Sequence, residues 1–282
     1  RRRAAPGADS ATAGGRRGLS VAAGRLKHVT TTETAGQAGA HHEPHQTDAP
    51  RPDRPEEGAP EYVLPLVVRL ERDAPPGRTD ALEAAARAVL VLLADERALG
   101  TGEWAQVVHD WQDSRIRKVV RRARGAEWRR AAALPGITVS GREAEVRVFP
   151  PVPLDGWPKD LARLQVSGTE LADPQAPGEP AAGAPVLWLN PALQMSAGKA
   201  MAQAGHGAQL AWWALSAADR EAWRAAGFPL AVRTAAPAAW AGLTDSGLPV
   251  VRDAGFTEIA PGSCTVVADH PALRGTALPA HR

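Results

Sequence analysis

The stretch NPALQMSAGKAMAQAGHGAQLAWW, residues 190–213, decides how the second half of the chain folds. Ser196 is a suitable N-cap, and alanine dominates the residues after it, so the pattern predicts a long helix from there onward. Lys199, Gln203 and His206 are spaced by four and three residues, which places them on one helix face. A lysine in the first turn opposes the helix dipole. This polar stripe is therefore either a solvated face or one side of a functional site.

Segments typical of strands and helices alternate on both sides of this helix, which predicts an α/β fold. The predicted strands of the first half are EYVLPLVVRL, RIRKVV, GITVS and AEVRVFP, and those of the second half are VLWLN, FPLAVRT, LPVVRD and CTVVAD. Helical patterns separate the first strands of each half, among them TDALEAAARAVLVLLADERALG and GAEWRRAAAL before residue 150 and SAADREAWRAAG and APAAWAGLTDSG after residue 215.

The two halves repeat one order of elements. Tryptophans stand 17 residues apart in each half, at 111 and 128 and at 223 and 240. An overlay of the halves places Arg78 opposite Lys199, Leu82 opposite Gln203 and Ala85 opposite His206. The first half thus keeps the packing positions without the polar stripe, which favours a functional role for that stripe. We predict two tandem small three-layer α/β units, each with a mixed four-stranded sheet, that form an intrachain pseudo-dimer.

Composition indicates how the chain is divided into tails, units and a linker, and which compartment suits it. Residues 1–60 contain few large apolar residues, so we expect a disordered tail, followed by units at 61–155 and 185–275, a linker at 156–184 and a tail at 276–282. No apolar run approaches the roughly 20 residues that span a bilayer. Cys264 is the only cysteine, which fits a reducing compartment, and we expect a cytoplasmic protein.

Positive charge is concentrated locally, because the formal net charge of the whole chain is only +2. Residues 115–130 hold eight cations and a single acid, Glu127. Such a stretch is either an ordinary solvated surface or a surface for RNA phosphates. The candidate RNA-binding residues are Arg115, Arg117, Lys118, Arg121, Arg122 and Arg124.

A second polar cluster lies in RDAGFTEIAPGSCTVVADHP, residues 252–271. Asp253 follows a predicted strand, and Thr257 lies in the loop after it. Ligands of α/β sheets collect at the carboxyl ends of strands near helix N-termini, so both side chains are expected beside Lys199. The alternatives are a turn or capping role for Asp253 and a satisfied loop hydroxyl for Thr257.

The motifs MSAGKAMAQAGHGA and RDAGFTEIAPGSCTVVADHP together resemble the type II peptidyl-tRNA hydrolase family over residues 186–271. The resemblance implies a small α/β fold, usually a homodimer, that cleaves the ester between a peptide and the 3′ end of tRNA without a metal or organic cofactor. It implies functional roles for Lys199, Gln203, Asp253 and Thr257, and His206 also matches the motif. Ala192 stands where the family usually has an acidic residue. The first half would be a degenerate copy that replaces the second protomer of the dimer.

These residues predict direct attack of water on the ester. The sequence has no Ser-His-Asp order with a nucleophile elbow, and Cys264 has no obvious base. Asp253 is the candidate base or water-orienting group, and Lys199 would stabilise an oxyanion or bind a terminal phosphate. Gln203 and Thr257 would hydrogen-bond the acyl carbonyl, the ribose or the water.

Two other functions are weighed against this hydrolase. A nucleotide-binding loop would need glycine where Leu193 stands and Ser or Thr where Ala200 stands, so SAGK does not form one. The serious alternative is a non-catalytic module that binds tRNA or the ribosome. The expected partner in either case is tRNA, with no membrane, and the chain is expected to be a monomer.

Overall fold

Two mixed sheets and seven helices occupy the part of the chain that the computed structural model describes, residues 61–255 and 258–274. The N-terminal unit contains β1 (Tyr62–Arg69), α1 (Arg78–Leu93), α2 (Ala105–Asp113), β2 (Arg117–Ala123), α3 (Gly125–Ala132), β3 (Ile137–Ser140), β4 (Glu145–Val148), β5 (Val152–Pro153) and α4 (Lys159–Ala162). The C-terminal unit contains β6 (Val186–Leu189), α5 (Ala197–Ala214), α6 (Ala217–Ala225), β7 (Ala231–Thr234), α7 (Pro237–Thr244), β8 (Val250–Arg252) and β9 (Cys264–Asp269). The tail expected at 1–60, the tail expected at 276–282 and Thr257 lie outside the described residues.

The two sheets have the same topology. Their strand orders are β2-β1-β4-β3 and β7-β6-β9-β8, with the first pair parallel in each and the others antiparallel. The predicted α/β class with two mixed-sheet units is confirmed. The prediction of four strands in each sheet is wrong for the N-terminal unit, because the short strand β5 also pairs with β1.

Local sequence explains where the central helices begin. Helix α5 starts after Ser196, whose Oγ accepts the backbone N–H of Lys199 at 3.2 Å, as the N-cap prediction required. Helix α1 has no side-chain cap from its own N-cap residue, Gly77. Asp173, from the segment between the units, instead accepts the backbone N–H and hydroxyl of Thr79 at 2.9 and 2.7 Å.

Helices α1 and α5 pack against each other between the two sheets. Each helix also contacts the edge strand of the other unit, α1 against β7 and α5 against β2. Gly205 permits this approach, since a Cβ there would lie 3.0 Å from a methyl of Val89 on α1 and 3.3 Å from Cδ of Lys118 on β2. Gly207 faces its own sheet, where a Cβ would lie 2.8 Å from a Val266 methyl. The interface between the units is therefore built around close helix contacts.

Helices α3 and α4 cover the side of the N-terminal sheet that faces away from α1. A second apolar cluster contains Val67, Ala123, Trp128 and Leu161, which join the sheet to α3 and α4. The segment expected as a linker at 156–184 thus contains buried residues in and after α4, among them Leu161, Thr169 and Leu171. No described helix has the length and apolar content that a bilayer-spanning helix needs.

Candidate active site

A cavity of about 450 Å³ opens between the two units. Four of the five predicted catalytic residues line it: Lys199, Gln203, His206 and Asp253. The fifth, Thr257, falls outside the described residues, so its position stays a prediction. The N-terminal unit contributes the start of β2, including Arg115, Arg117 and Lys118. The polar stripe of α5 therefore faces a concave site formed by both units.

The carboxylate of Asp253 is the centre of the polar network in this cavity. Its Oδ1 accepts the ammonium of Lys199 at 2.6 Å and the amide of Gln203 at 2.9 Å. Its Oδ2 accepts the backbone N–H of Gly255 at 2.9 Å. The Lys199 and Asp253 side chains are only 10% and 6% exposed, so the pair is largely withdrawn from water. Asp253, just after β8, thus lies beside Lys199 in the first turn of α5, as expected from the sequence.

Gln203 is held in one orientation by a residue that the sequence analysis missed. The hydroxyl of Thr265, fully buried on β9, donates to Gln203 Oε1 at 2.5 Å. That bond fixes the amide oxygen toward β9 and directs the amide NH₂ toward Asp253. A threonine beside the apolar residues of β9 was the only sequence signal for this role.

Glu258 ties the loop after β8 to the start of α5. Its carboxylate accepts the backbone N–H and the hydroxyl of Ser196 at 3.0 and 2.8 Å. The residue has a φ of 59°, a left-handed conformation that is unusual for a side chain of this size. A carboxylate at a helix N-terminus also interacts favourably with the helix dipole. These contacts keep the loop that carries Asp253 close to Lys199.

His206 lies beside a lysine of the other unit. Lys118 Nζ is 3.2 Å from His206 Nδ1 and 2.5 Å from Gln209 Oε1, with the Ile116 carbonyl at 3.3 Å. Burial lowers the pKa of the Lys118 amine well below its ordinary value. Burial, followed by the charges of Lys118 and Lys199, lowers the pKa of His206 well below 6.5. His206 is therefore neutral near pH 7.

The six predicted RNA-binding residues do not form one exposed surface. Lys118 is 8% exposed and reaches the interface between the units, so its RNA-binding role stays a prediction. Arg121 is directed at the carbonyls of Ala162 and Leu164 and stacks on Trp157 at 4.2 Å. Lys118 and Arg121 lie on opposite faces of β2, and each face is covered by other elements, which charge counting could not reveal.

The other four cations have differing surroundings. Arg115 and Arg117 line the cavity and approach Glu61 at 4.0 and 3.1 Å. Arg122 bonds the Ser167 carbonyl and the Gln165 side chain, whereas Arg124 is exposed. Positive charge at the cavity thus comes from Arg115 and Arg117 near the start of β2, and from Arg252 on β8.

Apolar side chains complete the cavity on the side of the N-terminal unit. Leu154 and Val166 are 40% and 51% exposed, although both are large hydrophobic residues, and both line the cavity. Ile116 and Val119 lie beside them. The site thus has a hydrogen-bonding side on α5 and β8 and an apolar side opposite, an arrangement suited to a partly apolar organic ligand.

The order, spacing and geometry of these residues agree with a known family. Residues 185–276 match the family model described as Peptidyl-tRNA hydrolase PTH2. The C-terminal unit thus matches the PTH2 family. The matched range contains all five predicted catalytic residues. It does not include the N-terminal unit, whose sheet has the same strand order as that of the C-terminal unit. No curated protein matches the chain.

Proposed function

We propose that the chain hydrolyses the ester between a peptide, or an N-blocked amino acid, and the 3′ end of tRNA. The observation that carries this proposal is the buried Lys199–Asp253–Gln203 network at the cavity between the units. The family match supports peptidyl-tRNA hydrolase activity in general. We further propose that water attacks the ester directly, without a metal ion.

In the proposed reaction, water attacks the ester carbonyl carbon and the bond to the ribose 3′ oxygen breaks. One water proton passes to a base, and the 3′ oxygen leaves with a proton, so the products are a free peptide acid and a tRNA with a 3′ hydroxyl. Asp253 orients or deprotonates the water, because its Oδ2 accepts only the Gly255 N–H among the described contacts. Lys199 places positive charge where the oxyanion develops, and Gln203 and Thr257 hydrogen-bond the substrate or the water.

The N-terminal unit would bind the tRNA. Arg115 and Arg117 lie where phosphates near the ester would approach the cavity, and Arg124 extends the positive charge along the exposed surface. We further propose that this unit is a degenerate copy and that the chain acts as a monomeric pseudo-dimer. The reciprocal contacts of α1 with β7 and of α5 with β2 support this arrangement.

Release of free tRNA from N-acetylated aminoacyl-tRNA tests the reaction, with a chelator present throughout. We expect wild-type cleavage and losses on the order of 10² or more in Lys199→Ala and Asp253→Ala, as for other lost electrostatic stabilisers. Lys159→Ala, an exposed lysine on α4, is the matched control and should keep the wild-type rate. Near-normal turnover by Lys199→Ala would refute its assigned role.

One observation favours a second candidate, a non-catalytic tRNA-binding module. Ala192 stands in the place where the family usually has a carboxylate. Under this alternative the wild-type chain would bind N-acetylated aminoacyl-tRNA without releasing free tRNA. The same assay, combined with a filter-binding measurement, separates the two functions.

A further inference from the structure

The contact between Lys118 and His206 joins the N-terminal unit to the site of the C-terminal unit. Lys118 belongs to β2, and its amine reaches His206 and Gln209 on α5. All three side chains lie at the interface between the units, where Gln209 is fully buried. Lys118 and His206 also line the cavity, which Gln209 does not. Gln209 thus accepts a hydrogen bond from Lys118 within the interface, while Lys118 and His206 both reach the cavity.

We propose that Lys118 is a positioning residue that holds His206 in the tautomer with its proton on Nε2. The proposal rests on the hydrolase function proposed above, which it deepens by giving His206 a defined role. In this tautomer His206 presents an N–H donor, not a base, to a ligand in the cavity. The N-terminal unit would then supply part of the catalytic apparatus in addition to binding tRNA.

The number of acceptors around Lys118 supports this protonation state. An ammonium has three N–H donors, and the structure places three acceptors around Nζ: Gln209 Oε1, the Ile116 carbonyl and His206 Nδ1. Burial lowers the pKa of both Lys118 and His206, and in water a lysine amine binds a proton about four pH units more tightly than an imidazole. A single proton shared by the pair therefore stays on Lys118. Nδ1 must then be the acceptor nitrogen of the ring.

The cost of this cluster indicates that it is not kept for stability. Burying a lysine without a carboxylate partner is unfavourable, and Gln209 Nε2 has no hydrogen-bond partner among the described residues. The strand pairings, in which Leu66 pairs with Val120 and Leu187 with Val232, make Lys118 equivalent to Leu230. Counting along the helices from Gly77 and Gly198 makes His206 and Gln209 equivalent to Ala85 and Ala88. The equivalent place in the other unit is thus entirely apolar, so the fold does not require the cluster.

Other charges near His206 do not provide an alternative partner for its ring. Lys199 lies on the same helix, and Asp253, from the loop after β8, accepts from Lys199 and Gln203. On the α1 side, the Glu83 carboxylate bonds Arg233. The remaining charged residues that line the cavity are Arg115, Arg117, Arg252 and Glu258. Lys118 is the charged side chain for which a hydrogen bond to His206 is seen among the described residues.

Long-range ¹H–¹⁵N spectra of the ¹⁵N-labelled full chain test the proposal directly, since they distinguish the two imidazole tautomers. The signal missing from His206→Asn identifies the ring. We expect the Nε2–H tautomer in wild type at pH 6 to 8 and a mixture of tautomers in Lys118→Met. Lys159→Met, the same substitution on an exposed lysine, should leave the signal unchanged. An Nδ1–H tautomer in wild type, or an unchanged signal in Lys118→Met, would overturn the proposal.

Kinetics provide a second readout. Lys118→Met should lower kcat roughly tenfold to hundredfold, as for other losses of orientation, with little change in KM. A normal kcat beside the expected tautomer change would overturn the positioning role. An inactive wild type that shows the Nε2–H tautomer would instead refute the hydrolase function and leave the tautomer assignment standing. The wild-type spectrum needs no variant to fold, and Leu230 at the equivalent position indicates that an apolar residue fits.

Discussion

The Lys199–Asp253 pair allows a quantitative test of the site through protein stability. Lys199→Met leaves the carboxylate with two of its three described donors, the Gln203 amide and the Gly255 N–H. This loss of one charge-assisted hydrogen bond should cost about 1.5–3 kcal/mol in unfolding free energy. Asp253→Ala removes the acceptor for all three donors and deprives a largely buried ammonium of its carboxylate. That change should cost more, about 3–5 kcal/mol.

A double-mutant cycle separates the pair energy from these individual losses. After Asp253→Ala, Lys199→Met should cost little or be stabilising, which gives a coupling energy on the order of 1–3 kcal/mol. Urea unfolding followed by tryptophan fluorescence measures all four proteins, and the nine tryptophans give ample signal. Additive effects, within about 0.5 kcal/mol, would refute the inference that the two side chains form a strong buried pair.

Three further predictions concern packing, acid stability and RNA binding. Gly207→Ala puts a methyl 2.8 Å from a methyl of β9 and should lower the unfolding free energy by about 1–2 kcal/mol in urea denaturation. Gly242→Ala in α7 has open space around it and should raise the unfolding free energy by up to about 1 kcal/mol. Equal urea midpoints for the two variants would contradict this. Burial raises the pKa of Asp80, but three backbone N–H donors in the loop before β4 outweigh that effect, so the pKa lies below 3.8 in the folded protein. The ionised Asp80 carboxylate therefore stabilises the fold fully above the pKa of the unfolded state, and this stabilisation disappears as pH falls through the lower pKa of the folded state. Asp80→Asn should therefore flatten the acid side of a stability profile measured from pH 5 to 2, and an unchanged slope would argue against the assignment. Arg115→Glu with Arg117→Glu should weaken tRNA binding and reduce its dependence on salt, and an unchanged salt slope would show that these arginines do not meet phosphates.

Periodicity and spacing predicted most of the fold, because they report local structure. The order of strands and helices in both units and the start of α5 at Ser196 followed from apolar patterns and capping chemistry. Helix α2 and strand β5 were not predicted. Helix α2 buries chiefly Val108 and Trp111 and begins without a side-chain cap, and β5 spans only two residues. Short elements like these depend on the surrounding fold more than on their own sequence.

The candidate site was predictable only where its residues share an element or follow a general rule. Lys199 and His206 are on one helix face, and Asp253 follows a strand that ends near that helix. The roles of Thr265 and Lys118 depend on contacts between residues 62 and 88 positions apart, which spacing does not encode. Charge alone could not show that Lys118 is buried, because a basic run contains both inward and outward side chains along a strand.

Because both units lie on one chain, a substitution in one unit is not repeated in the other, unlike in a dimer of identical subunits. In such a dimer, each substitution is present twice, once on each side of the twofold axis, and both copies must tolerate it. Here Lys118 occupies one side and Leu230 the equivalent place on the other. A costly polar residue can therefore be introduced once, beside the cavity that Lys118 lines, while the opposite position keeps its apolar packing. Mutations in the two halves are free to diverge, and each half can specialise without compromising the other.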